Sequence, residues 1–250
     1  MNSEAVAIIP ARMASTRFPG KMLADKTGFP LIRHVWEAAK KATCLSRICV
    51  ATDDERIRAA VGAFGGEVVM TSPEHPNGTS RLAEAARLLG LRDEALIVNV
   101  QGDEPELEAG VIDAAVETAR GSGAEVATVA SPLSDGEDAA DPNIVKVVLR
   151  ADGSALYFSR AAIPYPRDGS AVATPLRHVG VYVYRAGFLQ DYVRLVPTPL
   201  ERTEVLEQLR VLEHGHRIVV AVRQCTSQGI DTPGQYEQFV ERWKRAHPAR

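Results

Sequence analysis

Short aliphatic runs alternate with amphipathic stretches through the first half of the chain. Residues 5–9, 47–51, 67–70, 96–100 and 125–129 are nearly continuous in apolar character, as strands covered on both faces must be. Between them, residues 31–42, 55–64, 80–91 and 111–120 carry apolar side chains at helical spacing. Leu31, Val35, Ala38 and Ala39 fall on one face, with Arg33, Glu37 and Lys40 elsewhere. This βαβα rhythm predicts an α/β fold built on a doubly wound, mostly parallel sheet.

From about residue 142 the rhythm changes. Residues 143–149 and 155–160 flank Asp152-Gly153, a hairpin signal, and residues 177–185 alternate as a further strand. Thr198-Pro199-Leu200-Glu201 combines an N-cap threonine, proline at the first helical position and glutamate three residues after the cap. It predicts a helix running to Gly215. Residues 217–222 read as another strand, and Thr232-Pro233-Gly234-Gln235 opens a last helix in the same way. With no internal repeat or low-complexity tract, the 250 residues read as one domain. A sheet portion of about 1–141 carries a smaller interleaved lobe, about 142–222, and a return helix, about 223–250.

Charge narrows the function classes. Lysine and arginine number 29 against 32 acids, a net charge of −3, and a protein that coats nucleic acid needs a clear cationic surplus. Cys44, Cys49 and Cys225 form no CxxC pair and leave an odd thiol, which suits a reducing compartment. The run Val6–Ile9 is too short for a secretory leader, and no eighteen apolar residues occur in a row. The expectation is a cytoplasmic protein without membrane insertion.

The chemistry concentrates after the first strand. Pro10 to Lys21 holds three cations (Arg12, Arg17, Lys21), the hydroxyls of Ser15 and Thr16, and no acid. Ligands of open α/β sheets bind at the carboxyl ends of the strands, where this loop lies, and Gly20 allows close backbone approach. Position and charge together favour a polyphosphate over a solvated basic turn. The loop matches neither GxxxxGK[ST] nor GxGxxG. Asp103 ends the fourth strand in Gln101-Gly102-Asp103-Glu104-Pro105, so it suits a magnesium ligand or a turn aspartate equally well. Asp231 alone reads as an acid facing a helix dipole, as does the cluster Asp53-Asp54-Glu55. Arg81, Arg160 and His178 taken singly read as surface or packing residues, and Arg202 and Arg210 as a solvated helix face. His214 and His216 flank Gly215, a helix C-cap, with no further ligands to suggest zinc.

The set becomes specific when taken in order. The first loop, Ile9-Pro10-Ala11-Arg12 through Lys21, is followed by His75-Pro76-Asn77-Gly78-Thr79-Ser80-Arg81 and Val98-Asn99-Val100-Gln101-Gly102-Asp103-Glu104-Pro105. Then come Tyr157-Phe158-Ser159-Arg160, Arg177-His178 with Gly180 and Tyr182, Leu206-Glu207-Gln208-Leu209-Arg210 and Gly229-Ile230-Asp231-Thr232-Pro233. Across essentially the whole chain these resemble the sugar nucleotidylyltransferases, and within them the branch that activates an eight-carbon sugar acid with CTP. The resemblance implies transfer of a cytidylyl group from CTP to the C2 anomeric hydroxyl of 3-deoxy-D-manno-octulosonate (Kdo). The products are CMP-Kdo, for lipopolysaccharide synthesis, and pyrophosphate; Mg2+ is the cofactor and the enzyme a homodimer. It implies nucleotide binding by Pro10, Ala11, Arg12, Ser15, Arg17, Lys21, Gly78, Arg81 and Gln101. Arg81, Gln101, Arg160, His178, Tyr182, Glu207 and Gln208 are implied to hold the sugar. Asp103 and Asp231 would bind the metal and, with Lys21 and Arg12, carry catalysis. Close rivals are the same chemistry on 8-amino-Kdo or sialic acid. A nucleotide-sugar glycosyltransferase is more remote, since the chain has no Asp-x-Asp tripeptide. The Pro-rich segment 165–175 departs from the resembled pattern and reads as a substrate-side loop.

Overall fold

The computed structural model describes residues 3–14, 17–168 and 173–248. Ser15 and the centre of the 165–175 segment lie outside them. In chain order run β1 (Ala5–Ala11), α1 (Leu31–Ala39), β2 (Arg47–Thr52), α2 (Glu55–Ala63), β3 (Glu67–Met70), α3 (Gly78–Leu88), β4 (Leu96–Asn99) and α4 (Ala109–Ser122). There follow β5 (Val126–Pro132), β6 (Lys146–Leu149), β7 (Ala155–Ser159), β8 (Leu176–Arg185) and α5 (Ala186–Tyr192). The chain continues through α6 (Pro199–Glu204), α7 (Gln208–Glu213), β9 (Ile218–Val222) and α8 (Pro233–Ala246). The architecture is α/β, as the alternation predicts. Contacts divide the chain into two compact units.

One unit comprises Ala5–Leu91, Asn99–Ala109 and Ser227–Arg250. Its strands run β3-β2-β1, all parallel, with Val6 opposite Arg47 and Cys49 opposite Glu67. β1 is covered on both faces, since Val6, Ile8 and Ile9 are fully buried, which accounts for its unbroken apolar run. α8 starts at the expected capping box: the Thr232 hydroxyl accepts from the Gln235 N–H, and the Gln235 side chain answers at the Thr232 N–H. The apolar face of α8 (Tyr236, Phe239, Val240) packs with Leu31 and Ile230, and Phe18 of the first loop rests against that cluster. The last helix therefore anchors the loop that carries the cations.

The other unit comprises Met1–Glu4, Arg92–Val98 and Gly110–Thr226, with strand order β4-β8-β5-β9. β5 runs parallel to β9 and antiparallel to β8, and β6 pairs antiparallel with β7 and β8. The hairpin over Asp152-Gly153 forms, with Gly153 at φ 79°.

Two departures from the expected elements occur here. α5 was not visible as a separate period, because Phe188, Leu189 and Tyr192 continue the apolar run of β8. The single helix expected from Thr198 to Gly215 is instead two helices. α6 stops at Val205, whose φ of 55° and ψ of 51° are left-handed. The Val205 N–H donates to the Glu201 carbonyl, and the Leu206 N–H reaches the same oxygen at 3.2 Å. That is a helix-stop geometry in which glycine is usual. Because a valine fills the position, the sequence carries no stop signal there.

Arg210 does not lie on a solvated face. It is buried and gives a two-pronged ion pair to buried Glu201, with Nε–Oε2 at 2.8 Å, while its guanidinium sits 5.0 Å from the Tyr192 ring centre. Burial, the largest single influence, would raise the Glu201 carboxyl, but the Arg210 hydrogen bond, the Thr198 N–H and the charges of Arg210 and Arg202 together hold the pKa below its usual value. Removing one partner strands the other charge, so Arg210→Ala is expected to cost about 3–5 kcal/mol in urea unfolding. A change below about 0.5 kcal/mol, the scale of a surface substitution, would contradict the buried pair.

Candidate active site

The site in the first unit is framed by main-chain bonds. β1 delivers the chain to Arg12, and the loop closes where the Gly20 N–H meets the Met13 carbonyl at 3.2 Å. Gly20 stands at φ 71°, a left-handed position glycine takes without strain, and opens a single 3-10 turn over Lys21–Leu23. That turn buries Lys21. The segment after β4 is held beside β1 by the Val100 N–H on the Ile8 carbonyl, and the Ile230 N–H donates to the Asp103 carbonyl at 2.8 Å. Asp103 and Asp231, 128 positions apart, are neighbours through this bond. Gly102 is required because a Cβ there would come within 2.8 Å of the Pro10 carbonyl oxygen.

The Lys21 ammonium is the common point. It donates to Asp103 Oδ2 at 2.6 Å and to the Ile230 carbonyl at 2.9 Å, and lies 3.8 Å from Asp231 Oδ1. Arg17 binds the same Asp231 oxygen at 2.9 Å. These groups border a cavity of about 440 Å³. Of the residues singled out in the sequence, Pro10, Ala11, Arg12, Arg17, Lys21, Gly78, Arg81, Gln101, Asp103 and Asp231 line it together. Four cations face two carboxylates, a surplus suited to a polyanion. The N-terminus of α3 opens onto the cavity at Asn77 and Gly78, and Asn77 caps the helix by accepting from the Ser80 N–H. Arg81 is buried, held by Thr71 Oγ1 at 2.6 Å and by Asp53 at 3.0 Å. Asp53 thus orients an arginine of the cavity, while Asp54 is the helix cap, accepting from the Arg56 N–H.

Arg160, His178, Tyr182, Glu207 and Gln208 belong to the second unit. His178 and Tyr182 stand four residues apart on β8, about 13 Å along a flat strand. Their ring centres are nonetheless 5.1 Å apart. The β5–β8 register jumps from Thr128–Tyr182 to Val129–Val179, and this bulge folds β8 so that the rings meet over Gly180. The Thr128 hydroxyl fills the kink, donating to the Val181 carbonyl at 2.7 Å and lying 2.9 Å from His178 Nε2. Enclosure, with Arg177 adding to it, pushes the His178 pKa down to about 3. Burial and then the Glu207 carboxylate raise the Tyr182 phenol. Gln208, the first residue of α7, is buried, whereas Glu207 before it is exposed. The Arg160 guanidinium lies on main-chain carbonyls, Glu204 at 2.7 Å and Pro142 at 2.8 Å.

Several site residues were missed. His75 and Asn77 line the cavity, and the Glu84 carboxylate holds His75 Nε2 at 2.6 Å. Their signal was present in the motif around Gly78. Thr128 and Tyr192 had none, since both sit in apolar runs and act only through the bulge and through the Glu207 carbonyl, which Tyr192 binds at 3.3 Å.

Comparison with known proteins identifies the family. A family model described as cytidylyltransferase matches residues 6–218. The chain is 52% identical over 237 residues to a protein of Syntrophobacter fumaroxidans named 3-deoxy-manno-octulosonate cytidylyltransferase, covering 94% of this chain and 95% of that one. A protein of the same name from Aliivibrio fischeri is 49% identical, covering 92% and 95%. A solved structure described as CMP:2-keto-3-deoxy-manno-octonic acid synthetase complexed with CTP superposes with a TM-score of 0.92 at 40% identity, over 98% of this chain and all of that one. A 4-diphosphocytidyl-2C-methyl-D-erythritol synthase, 13% identical with a TM-score of 0.65, shares the fold alone.

His178 sets a pH dependence. With a folded pKa near 3 against an ordinary 6.5, the unfolded chain binds the extra proton between these values. The contribution is complete above about pH 6.5 and declines as pH falls toward 3. Urea midpoints at pH 7.5 and 4.5 are expected to differ less in His178→Gln than in the wild type; equal differences would contradict the assignment.

Proposed function

The chain belongs to the cytidylyltransferase family, and we infer from that premise that it transfers the cytidylyl group of CTP to the anomeric C2 hydroxyl of Kdo, releasing pyrophosphate. The observation that carries the reading is the meeting of Lys21, Asp103 and Asp231 at a cation-lined cavity, in a chain about half identical to Kdo cytidylyltransferases along nearly its whole length.

In this reading Arg12, Arg17 and Lys21 hold the triphosphate, with Ser15 in the same loop. The backbone of Pro10 and Ala11 borders the base, joined by Gly78, Arg81 and Gln101. Arg81 and Gln101 also serve the sugar acid, with Arg160, His178, Tyr182, Glu207 and Gln208 supplying the hydrogen bonds its carboxylate and hydroxyls require. His178, neutral at physiological pH, takes part as a hydrogen-bonding ring and not as a charge. Attack by the C2 oxygen on the α-phosphorus opens the bond to the pyrophosphate oxygen. Lys21, hydrogen-bonded to two oxygens and 3.8 Å from a third, is preorganised to meet the negative charge that accumulates there.

The donor set fits magnesium. Asp103 and Asp231 already converge on one cation, the Lys21 ammonium. Among the described residues no group of three or more His, Cys, Asp or Glu gathers as a closed metal cage. Two carboxylates that leave the remaining positions to phosphate oxygens and water match magnesium's usual habit. When bound, the ion would supply charge neutralisation at the phosphate and a more acidic hydroxyl. We place the enzyme in the cytoplasm, in keeping with three cysteines that form no CxxC pair. Among the described residues no helix is long and apolar enough to cross a membrane. CMP-Kdo made here would feed lipopolysaccharide synthesis.

Pyrophosphate release tests the reaction. CTP with Kdo is expected to exceed UTP, ATP or GTP, and Kdo to exceed 8-amino-Kdo and sialic acid; release equal across the sugars would overturn the substrate. Asp103→Asn and Asp231→Asn are each expected to lower turnover at least a hundredfold with the melting temperature nearly kept, and turnover within twofold of wild type at saturating magnesium would remove that residue from the mechanism. We propose a homodimer, so light scattering should give about twice the 27.0 kDa chain mass at micromolar concentration; a monomer would reject it.

A further inference from the structure

We propose that Glu204 is a positioning residue for the sugar-acid side of the reaction, acting by clamping the end of β7 to the break between α6 and α7. The inference rests on the reading of Arg160 and Glu207 as sugar-acid residues, and extends it to a residue bonded to Ser159 and Arg160.

The break at Val205 needs an explanation, because a valine in the left-handed region is strained and persists only where its surroundings over-determine it. The surroundings here come from β7. In an unbroken helix the Glu204 and Val205 carbonyls would accept from the N–H groups of residues 208 and 209. Instead the Arg160 guanidinium takes their place, with Nε on the Glu204 carbonyl at 2.7 Å and Nη2 toward the Val205 carbonyl at 3.4 Å. The Leu209 N–H turns to Leu206. The Glu204 carboxylate answers in the opposite direction: Oε1 accepts from the Ser159 hydroxyl at 2.6 Å and Oε2 from the Arg160 main-chain N–H at 2.9 Å. The Arg160 carbonyl is pinned in turn by fully buried Lys146 at 2.5 Å.

Glu204 and Arg160 thus brace each other at both side chain and main chain. The brace has two consequences for the sugar acid. Guanidinium has five N–H donors, and the three used on carbonyls fix its plane while leaving others for a carboxylate. The break also ends α6, so that Glu207, two residues beyond Val205, stands at the N-cap of α7 with its carbonyl accepting from the Tyr192 hydroxyl at 3.3 Å.

The test is Glu204→Gln, which keeps the shape and removes the charge. Pyrophosphate-release kinetics are expected to show the KM for Kdo raised at least tenfold with the KM for CTP within twofold. Arg160→Ala should raise the Kdo KM as well, and adding Glu204→Gln to it should change that KM less than twofold further, because the two act as a unit. Hydrogen exchange at residues 206–208 should quicken in Glu204→Gln. Glycine at 205 favours the same stop without the brace, so Val205→Gly in the Glu204→Gln background should recover most of the Kdo KM; this pair also decides the matter if Glu204→Gln alone folds poorly. Unchanged KM values, an equal rise in both, multiplicative effects of the two substitutions, or unaltered exchange would overturn the proposal. The substrate reading fails separately, if wild-type protein releases no pyrophosphate from CTP and Kdo, and the exchange measurement then still decides the brace.

Discussion

The site in the unit that carries β1 turns on one ammonium group. Lys21 is buried, and a buried cation is tolerated only where oxygens replace its water. Those oxygens come from Asp103, the Ile230 carbonyl and, at longer range, Asp231. The requirement ties the end of β1, the turn after β4 and the approach to α8 to a single point. Phe18 against the apolar face of α8 holds the cationic loop to the same support from the outside. The carboxylates are consequently close together before any ligand arrives, and Arg17 already rests on one of them. A polyanion entering this cavity meets fixed dipoles and charges and needs little reorganisation, which is the condition under which electrostatic catalysis is strongest.

The unit that carries β8 solves a different problem by local irregularity. β8 carries His178 and Tyr182 into contact only because its register with β5 slips, and Thr128 satisfies the polar groups that the slip exposes. The α6–α7 junction departs from helical geometry at a residue with no intrinsic preference for doing so. Both irregularities fall where the residues assigned to the sugar acid are found. A regular β8 would hold the His178 and Tyr182 rings well apart, so their meeting depends on the deviation and not on the element itself.

Strand and helix positions in the unit that carries β1 were legible along the chain because burial on both faces imposes unbroken apolar runs, and because Thr232-Pro233-Gly234-Gln235 announces its helix chemically. The cationic loop was legible for a similar reason: its residues are consecutive, and so is their chemistry. Arg210 was misjudged because a helix-period pattern cannot distinguish an arginine facing water from one facing Glu201 in the interior. α6 and α7 merged into one expected helix because the stop lacks glycine and is imposed by Arg160, some 45 positions earlier.

The order of residue types along the chain was enough to establish the α/β class, the anion-binding loop and the family resemblance, since each is written in neighbouring positions and needs no knowledge of distant ones. The pairing of Asp103 with Asp231 about Lys21, the meeting of His178 with Tyr182 and the brace between Glu204 and Arg160 arose only on folding. Each joins groups whose attraction depends on distance in space and on the exclusion of water, and neither quantity can be read from separation along a chain.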